Sequence, residues 1–233
     1  MEELLRRAVG DRLAVVIATE RVDGDLHPKH VAPALLGARQ AAITGHTWTM
    51  LDQVHGVRCH HCVSAAVSPR VVAVGDVLVT AEPDVPLAIW AADCAPVALF
   101  GFSGTTVALH AGWRGLAAGV VDIGVIEMHA RGDRAALAVL GPTVHPCCYE
   151  FSERDLRLVA SGTGLSPEAI SGQTRAGRLA LDVPAVVIGA LGRYGVDVEV
   201  SAGCTGCGDR WFSHRVRGDV ARHAVVAWTE LRT

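Results

Sequence analysis

His110-Ala111-Gly112-Trp113-Arg114-Gly115 is the stretch on which the reading of this chain turns. It follows a short apolar run, Thr106-Val107-Ala108-Leu109, and precedes a small-residue segment, Leu116 to Val121. The pattern predicts a strand, a tight glycine turn and a helix start. Such a turn leaves backbone N–H groups free and sets His110 and Arg114 at the mouth of a sheet. An imidazole there can bind a metal or move a proton, and a guanidinium can clamp an anion. Upstream, Gln53-Val54-His55-Gly56 and Ala92-Asp93-Cys94-Ala95-Pro96-Val97 offer a second imidazole and a thiol. Two histidines and one cysteine with a fourth position open make the donor set of a catalytic zinc. The spacing is too wide for a zinc finger, but catalytic sites collect ligands from separate strand ends. Each of the three also interrupts an apolar run at a glycine or proline turn, where function concentrates. Asp76, in Val74-Gly75-Asp76, and Asp93 are carboxylates that could orient a ligating histidine through its other ring nitrogen. Asp93 could equally accept a proton.

Three further constellations stand apart from this trio. Cys59-His60-His61-Cys62 has the look of a metal loop, but a closed site needs a second half. Cys204-Thr205-Gly206-Cys207 could supply one; the alternative is a polar turn ahead of a strand at Val63. Gly141-Pro142-Thr143-Val144, followed by Cys147-Cys148-Tyr149-Glu150, puts an aromatic hydroxyl and a carboxylate just beyond a fixed turn. Trp211-Phe212-Ser213-His214-Arg215, with Arg217 and Arg222, gathers a hydroxyl, an imidazole and several guanidiniums. That set suits an anion or a sugar hydroxyl, or else a solvated basic helix start.

The 233 residues suit one domain, half of them are hydrophobic and 19% are charged, so a sizeable core can form. A net charge of −3 without a basic stripe argues against nucleic acid as a partner. No run of about 18 uncharged apolar residues suggests a membrane span. Met1 to Arg7 lacks a signal-peptide profile, and the seven cysteines are not at framework spacing. A cytoplasmic protein with reduced thiols is expected. The chain contains no Asn, so turns must use Gly and Asp, and no Asn amide can act in catalysis.

Apolar runs predict strands at Leu13 to Thr19, Val71 to Thr80, Leu87 to Ala91, Val97 to Phe100, Val107 to His110, Leu137 to Leu140 and Val196 to Ser201. Helices are predicted around Ala34 to Ala42, over Leu116 to Ala130, over Glu153 to Ala160 with a stop at Gly162, over Val183 to Leu191, and over Asp219 to Leu231. The irregular alternation reads as a layered α/β domain with a mixed sheet, undivided by any linker or repeat.

The ordered set of motifs resembles the YfiH-like family, also known as laccase-domain or multicopper polyphenol oxidase proteins and as purine nucleoside phosphorylases. The matching pieces are Gln53-Val54-His55-Gly56, Gly75-Asp76, Ala92-Asp93-Cys94-Ala95-Pro96-Val97, His110-Ala111-Gly112-Trp113-Arg114-Gly115, Gly141-Pro142, Cys148-Tyr149-Glu150, Leu181-Asp182, Cys204-Thr205 and Phe212-Ser213-His214-Arg215. The resemblance implies one compact three-layer α/β/α catalytic domain over residues 1–233, with zinc held by His55, Cys94 and His110; copper could also bind in vitro. It implies catalytic roles for these three with Asp93 and Arg114, and substrate contacts from Arg39, Gln53, Asp76, Ser213, His214 and Arg215. The implied reactions are phosphorolysis of adenosine, inosine and methylthioadenosine, and deamination of adenosine. The implied partners are purine nucleosides and phosphate, with the protein a monomer or homodimer. The chain departs from the family at Arg21 to Leu26, where a Ser-Leu-Asn-Leu-Gly segment is usual, at Ala38-Arg39 in place of Asn-Arg, and over Arg215 to Arg222. The substrate-facing rim is therefore altered while the metal trio is intact.

Other readings stay open. A family member that edits peptidoglycan precursors would hydrolyse an amide at the same centre, or use Cys94 as nucleophile with His110 as base. A copper polyphenol oxidase needs paired His-x-His runs, and the 11 histidines here form none. A non-enzymatic module with a structural zinc would bind without turnover.

Overall fold

Thr106–Ala111 forms a fully buried strand, β9, and the chain turns at Gly112 directly into α2 (Trp113–Ala117). This computed structural model describes residues 1–64, 70–200 and 203–232. Its α/β class with mixed pairing is that expected from the sequence. The strands divide over two six-stranded sheets that face each other, so the central β layer is double. In the first sheet the order is β1 (Glu2–Val9), β2 (Arg12–Ala18), β14 (His223–Leu231), β7 (Leu87–Ala91), β3 (Thr49–Asp52) and β5 (Arg70–Val74). In the second it is β13 (Val198–Val200), β10 (Ala135–Leu140), β8 (Ala95–Gly101), β9, β6 (Val77–Thr80) and β4 (Cys59–His61). A small hairpin, β11 (Ser171–Gln173) with β12 (Leu179–Leu181), stands apart. Pairings are antiparallel except β3 with β5 and β7, β4 with β6, and β10 with β13.

The two sheets meet through Leu5, Val16, Phe100, Leu137, Val139 and Val225. Outside the first sheet lies α1 (Pro33–Thr44), whose Leu36 packs with Trp48, Met50 and Trp228. Outside the second lie α2, α3 (Val120–His129), α4 (Glu153–Thr163) and α5 (Val183–Gly192). Residues of β9 alternate: Val107, Leu109 and Ala111 face these helices, and Ala108 and His110 share the opposite face, toward the first sheet.

Five local outcomes differ from the sequence reading. The helix expected to stop at Gly162 runs through it to Thr163 and ends at Gly164, whose φ is 66°. The run Val71 to Thr80 is two strands, β5 and β6, in different sheets, broken at Gly75-Asp76. The helix expected over Leu116 to Ala130 is broken at Gly119, whose φ of 84° is open to glycine and closed to most side chains. The strand placed at Val63 is instead Cys59–His61, while Ser201 lies outside the described residues. The helix expected over Asp219 to Leu231 is the strand β14. Val225 and Ala227 face the second sheet while Ala224, Val226 and Trp228 face α1, so both faces of β14 are covered. A strand buried on both faces reads as a continuous apolar run, and the alanines tilt that run toward helix.

His223 opens β14 with no exposure, and burial depresses its imidazolium to about 3, from an ordinary value of 6.5. The unfolded chain takes up this proton first as pH falls, so stability is complete above about pH 6.5 and declines from there toward pH 3. Between pH 7 and pH 4.5, His223 is expected to remove about 3 kcal/mol. Urea unfolding at both pH values checks this, with His223→Gln expected to shrink the difference.

Candidate active site

The chain passes from the first sheet to the second three times in its first hundred residues: between β3 and β4, between β5 and β6, and between β7 and β8. His55 lies in the first crossing, Asp76 in the second, and Asp93 and Cys94 in the third. These crossings converge beside the end of β9, which brings His110. Catalytic-type residues thus collect where the connections, not the strands, must be short and irregular.

Asp76 is the hub. Its carboxylate is wholly buried and accepts the backbone N–H groups of Val54 (3.1 Å), His55 (2.9 Å) and Gly56 (2.7 Å). The same carboxylate takes the Nδ1 side of His110 at 2.8 Å, and the Asp76 carbonyl accepts His110 N–H at 2.8 Å. Burial alone would raise the Asp76 pKa, but these bonds hold it below the usual carboxylate value. They also hold His55 in a left-handed conformation, φ 61°, which a histidine rarely adopts unaided. Wholly buried and spent on these bonds, the carboxylate is not turned toward a substrate as the resemblance implies; its bond to His110 Nδ1 is of the kind that orients a ligating imidazole.

With Nδ1 tied to Asp76, His110 turns Nε2 outward. The donor atoms of His55, Cys94 and His110 lie within 4.8 Å of one another, and Cys94 Sγ is 3.6 Å from His55 Nε2. Two ligands of one tetrahedral zinc, at Zn–N and Zn–S lengths of about 2.1 and 2.3 Å, stand about 3.6 Å apart. The trio therefore fits a metal ion. His110 is buried beneath the cluster and His55 is exposed at its edge, which leaves one side open. Burial opposes ionisation of Cys94, but the adjacent His110 charge and hydrogen bonds from both imidazoles win, so the thiol is held below its usual range. His110 is correspondingly held above its own, against burial, by Cys94 and Asp76.

Gly112 is the spacer of this cluster. A Cβ there would lie 2.3 Å from His55 Cδ2 and 3.2 Å from Cys94 Sγ, although the backbone (φ −71°) would accept any residue. Gly112→Ala is expected to displace His55 and weaken metal binding at this cluster at least tenfold with secondary structure unchanged. Competitive zinc titration alongside circular dichroism checks this.

The remaining residues named from the sequence divide into two groups. Asp93, φ 97°, is fully engaged: Oδ1 accepts Thr205 Oγ1 at 2.6 Å and Oδ2 accepts Arg215 N–H at 2.6 Å. Its carboxylate ties the late loop to Cys94. Arg215 lays its guanidinium over Tyr149, 4.9 Å from the ring centroid, and Arg114 lies over Trp113 at 4.4 Å; both are exposed. Tyr149 and Trp113 line a narrow cavity of about 30 Å³ with Cys94 and Asp93. Beside it, Arg215, Arg175 and Arg178 line a groove of about 310 Å³. A larger groove of about 400 Å³ beside α4 is lined by Glu153, Leu156 and Glu168 and contains none of these groups.

Other named residues hold the framework. The Gln53 amide bridges to Trp90, donating to its carbonyl at 2.7 Å and accepting its N–H at 3.1 Å. Arg39 donates to the Asp25 carbonyl. Ser213 caps α6 (His214–Arg217) by accepting Val216 N–H, and exposed His214 faces the Asp219 carbonyl at 3.4 Å. Thr205 and Arg217 are named in the sequence only as parts of motifs, without the roles they have here. Arg217 bonds the carbonyls of Thr205, Gly208 and Trp211, and nothing in the local pattern distinguishes that from a solvated arginine. The possible pairing of Cys59-His60-His61-Cys62 with Cys204-Thr205-Gly206-Cys207 is corrected. Cys59 and His61 lie beside Glu127, because β4 runs at the outer edge of its sheet against α3; Cys204 and Cys207 lie beside Cys147 and Cys148.

Residues 23–230 match the family model described as multi-copper polyphenol oxidoreductase laccase. A purine nucleoside phosphorylase from Streptomyces coelicolor is 37% identical over 234 residues, spanning 98% of this chain and 89% of that protein. Another, from Pseudomonas aeruginosa, is 34% identical over 185 residues, spanning 77% and 73%. Among solved structures, YlmD from Geobacillus stearothermophilus superposes with a TM-score of 0.79 at 24% identity, covering 98% of this chain and all of that one. YfiH from Bacillus licheniformis gives 0.79 at 23%, covering 95% and 97%. With the fold shared and the sequence match spanning nearly its whole length, the chain belongs to the multi-copper polyphenol oxidoreductase laccase family, the YfiH-like proteins.

Proposed function

We propose that this chain is a zinc-dependent purine nucleoside phosphorylase, with residues 1–233 acting as one catalytic unit on adenosine, inosine and methylthioadenosine, and that it also deaminates adenosine. The observation that carries the proposal is the three-donor cluster of His55, Cys94 and His110, open on one side and adjoining an arginine-lined groove. The names of the relatives support the same reading. His55, Cys94 and His110 would hold the zinc, which would supply Lewis-acid chemistry there.

The chain's own residues do the rest. Asp76 fixes the tautomer of His110 and braces the His55 turn. Arg215 and Arg114, each exposed and spread on an aromatic ring, are cations suited to phosphate. Tyr149 and Trp113 are the rings that seat these two cations beside Cys94. In phosphorolysis a phosphate oxygen bonds C1′ of the ribose as the C1′–N9 bond breaks. The electron pair leaves on the base, and ribose 1-phosphate forms. Asp93, with both oxygens occupied, serves as a positioning residue.

One observation favours a second reading. Cys94, His110 and Asp76 form a thiol–imidazole–carboxylate chain, the arrangement of a nucleophilic amidase. Peptidoglycan-precursor editing would use it. Incubation of the purified protein with adenosine, with and without phosphate, separates the proposals by chromatography of the products. Phosphate-dependent adenine and ribose 1-phosphate support phosphorolysis, and inosine formed without phosphate supports deamination. No product from either incubation of zinc-loaded protein overturns the nucleoside assignment.

A further inference from the structure

Four cysteines meet outside the centre described above. Cys147 and Cys148 stand side by side in a short 3-10 turn, Pro146–Cys148, ahead of Tyr149. Cys204 and Cys207 lie in the loop that leads to α6. All four Sγ atoms fall within 4.8 Å of one another. The Cys147–Cys148 separation is 3.8 Å, and Cys207 is 3.6 Å from each of them. These distances are far beyond the roughly 2.05 Å of a disulfide, and all seven cysteines of the chain are free. They do match the sulfur–sulfur edge of a tetrahedral zinc tetrathiolate, about 3.8 Å for Zn–S bonds of about 2.3 Å.

The surroundings are built for that approach. Cys204 and Cys207 are spaced as a Cys-x-x-Cys pair, and Gly206 between them leaves room: a Cβ there would meet Cys148 Cβ at 2.7 Å and Cys148 Sγ at 3.0 Å. The sulfurs receive donors from outside the set, His145 N–H on Cys204 at 3.3 Å and Arg175 Nη2 on Cys207 at 3.0 Å. Donors of this kind accompany sulfurs that carry negative charge as metal ligands.

We propose that Cys147, Cys148, Cys204 and Cys207 form a closed structural zinc site, separate from the His55–Cys94–His110 centre. Binding displaces the thiol protons and involves no oxidation or reduction. Its effect is to cross-link the two loops that shape the open side of the active site. One loop carries Tyr149. The other carries Thr205, which holds Asp93, and leads into Arg215, which stacks on Tyr149. Loop rigidity that a larger core would otherwise provide comes here from a metal ligand set.

The test is zinc content by elemental mass spectrometry on three full-length proteins: wild type, Cys147→Ser/Cys207→Ser, and His55→Ala/His110→Ala. Each double variant is expected to hold one zinc fewer than wild type. Zinc-edge X-ray absorption on His55→Ala/His110→Ala is expected to show a sulfur-only shell at about 2.3 Å. This second measurement stands even if the serine variant does not fold. Unchanged zinc in the folded serine variant, no zinc in the histidine variant, or a nitrogen-containing shell there would each overturn the proposal. So would an intact mass of the wild type showing these cysteines joined in disulfides.

Discussion

His110→Ala is expected to lower phosphorolysis about a thousandfold or more and to remove one zinc from the protein. The magnitude follows from what is lost together. The imidazole is one of three donors to the proposed metal, and a metal-bound group contributes several kcal/mol to the reaction, where each tenfold in rate is about 1.4 kcal/mol. The side chain is also 3% exposed and bonded to Asp76, so its loss leaves a buried carboxylate without its charged partner. His110→Gln keeps a polar group near Asp76 but restores no imidazole, so the two variants should share the loss of zinc and differ in stability. Steady-state turnover, zinc content and urea unfolding on the same preparations read the three effects separately. Wild-type turnover in a His110→Ala protein that has lost one zinc would sink the catalytic role.

Asp76→Ala carries the second large expected effect, and it falls on fold and site at once. The carboxylate accepts three consecutive backbone N–H groups and the His110 ring from a wholly buried position. Removing it strands those donors and should cost about 3–5 kcal/mol of stability, as for other buried charged pairs broken on one side. Asp76→Asn keeps the shape but turns an amide NH₂ toward donors. It should spare most of the stability yet weaken zinc binding 10–100-fold, because the His110 tautomer and the His55 turn are no longer enforced. Denaturation midpoints and zinc titrations of the two variants distinguish these outcomes. Equal zinc affinity in Asp76→Asn and wild type would show that Asp76 is structural only.

How much of this was legible from residues alone depended on where the information lies. The trio of His55, Cys94 and His110 was visible because each interrupts an apolar run at a glycine or proline turn. Asp76 was visible as a carboxylate at such a break. What that break meant was hidden: Val71 to Thr80 reads as one strand, and only the pairing shows that Gly75-Asp76 carries the chain between two sheets. The strand β14 was hidden for a related reason. Its alternation is real, but both faces are buried, so no polar residue marks the period between His223 and Thr229. The sequence pairs Cys204–Cys207 with Cys59–Cys62 because both have Cys-x-x-Cys spacing, and the adjacent Cys147-Cys148 carries no such signal. Contact between the loops after β10 and before α6 decides otherwise. Asp93 shows the opposite difficulty. Its place beside Cys94 suggests proton transfer, whereas its two bonds at 2.6 Å show a carboxylate spent on holding Thr205 and the Arg215 backbone.

The most direct test of the central claim follows ribose 1-phosphate made from adenosine and phosphate by one preparation in three states: as purified, after exhaustive chelation, and after zinc is returned. Product formation that vanishes on chelation and recovers with zinc is the expected result. Product formation that survives chelation and is abolished by a thiol reagent would contradict a metal centre at His55, Cys94 and His110 and leave Cys94 as a nucleophile.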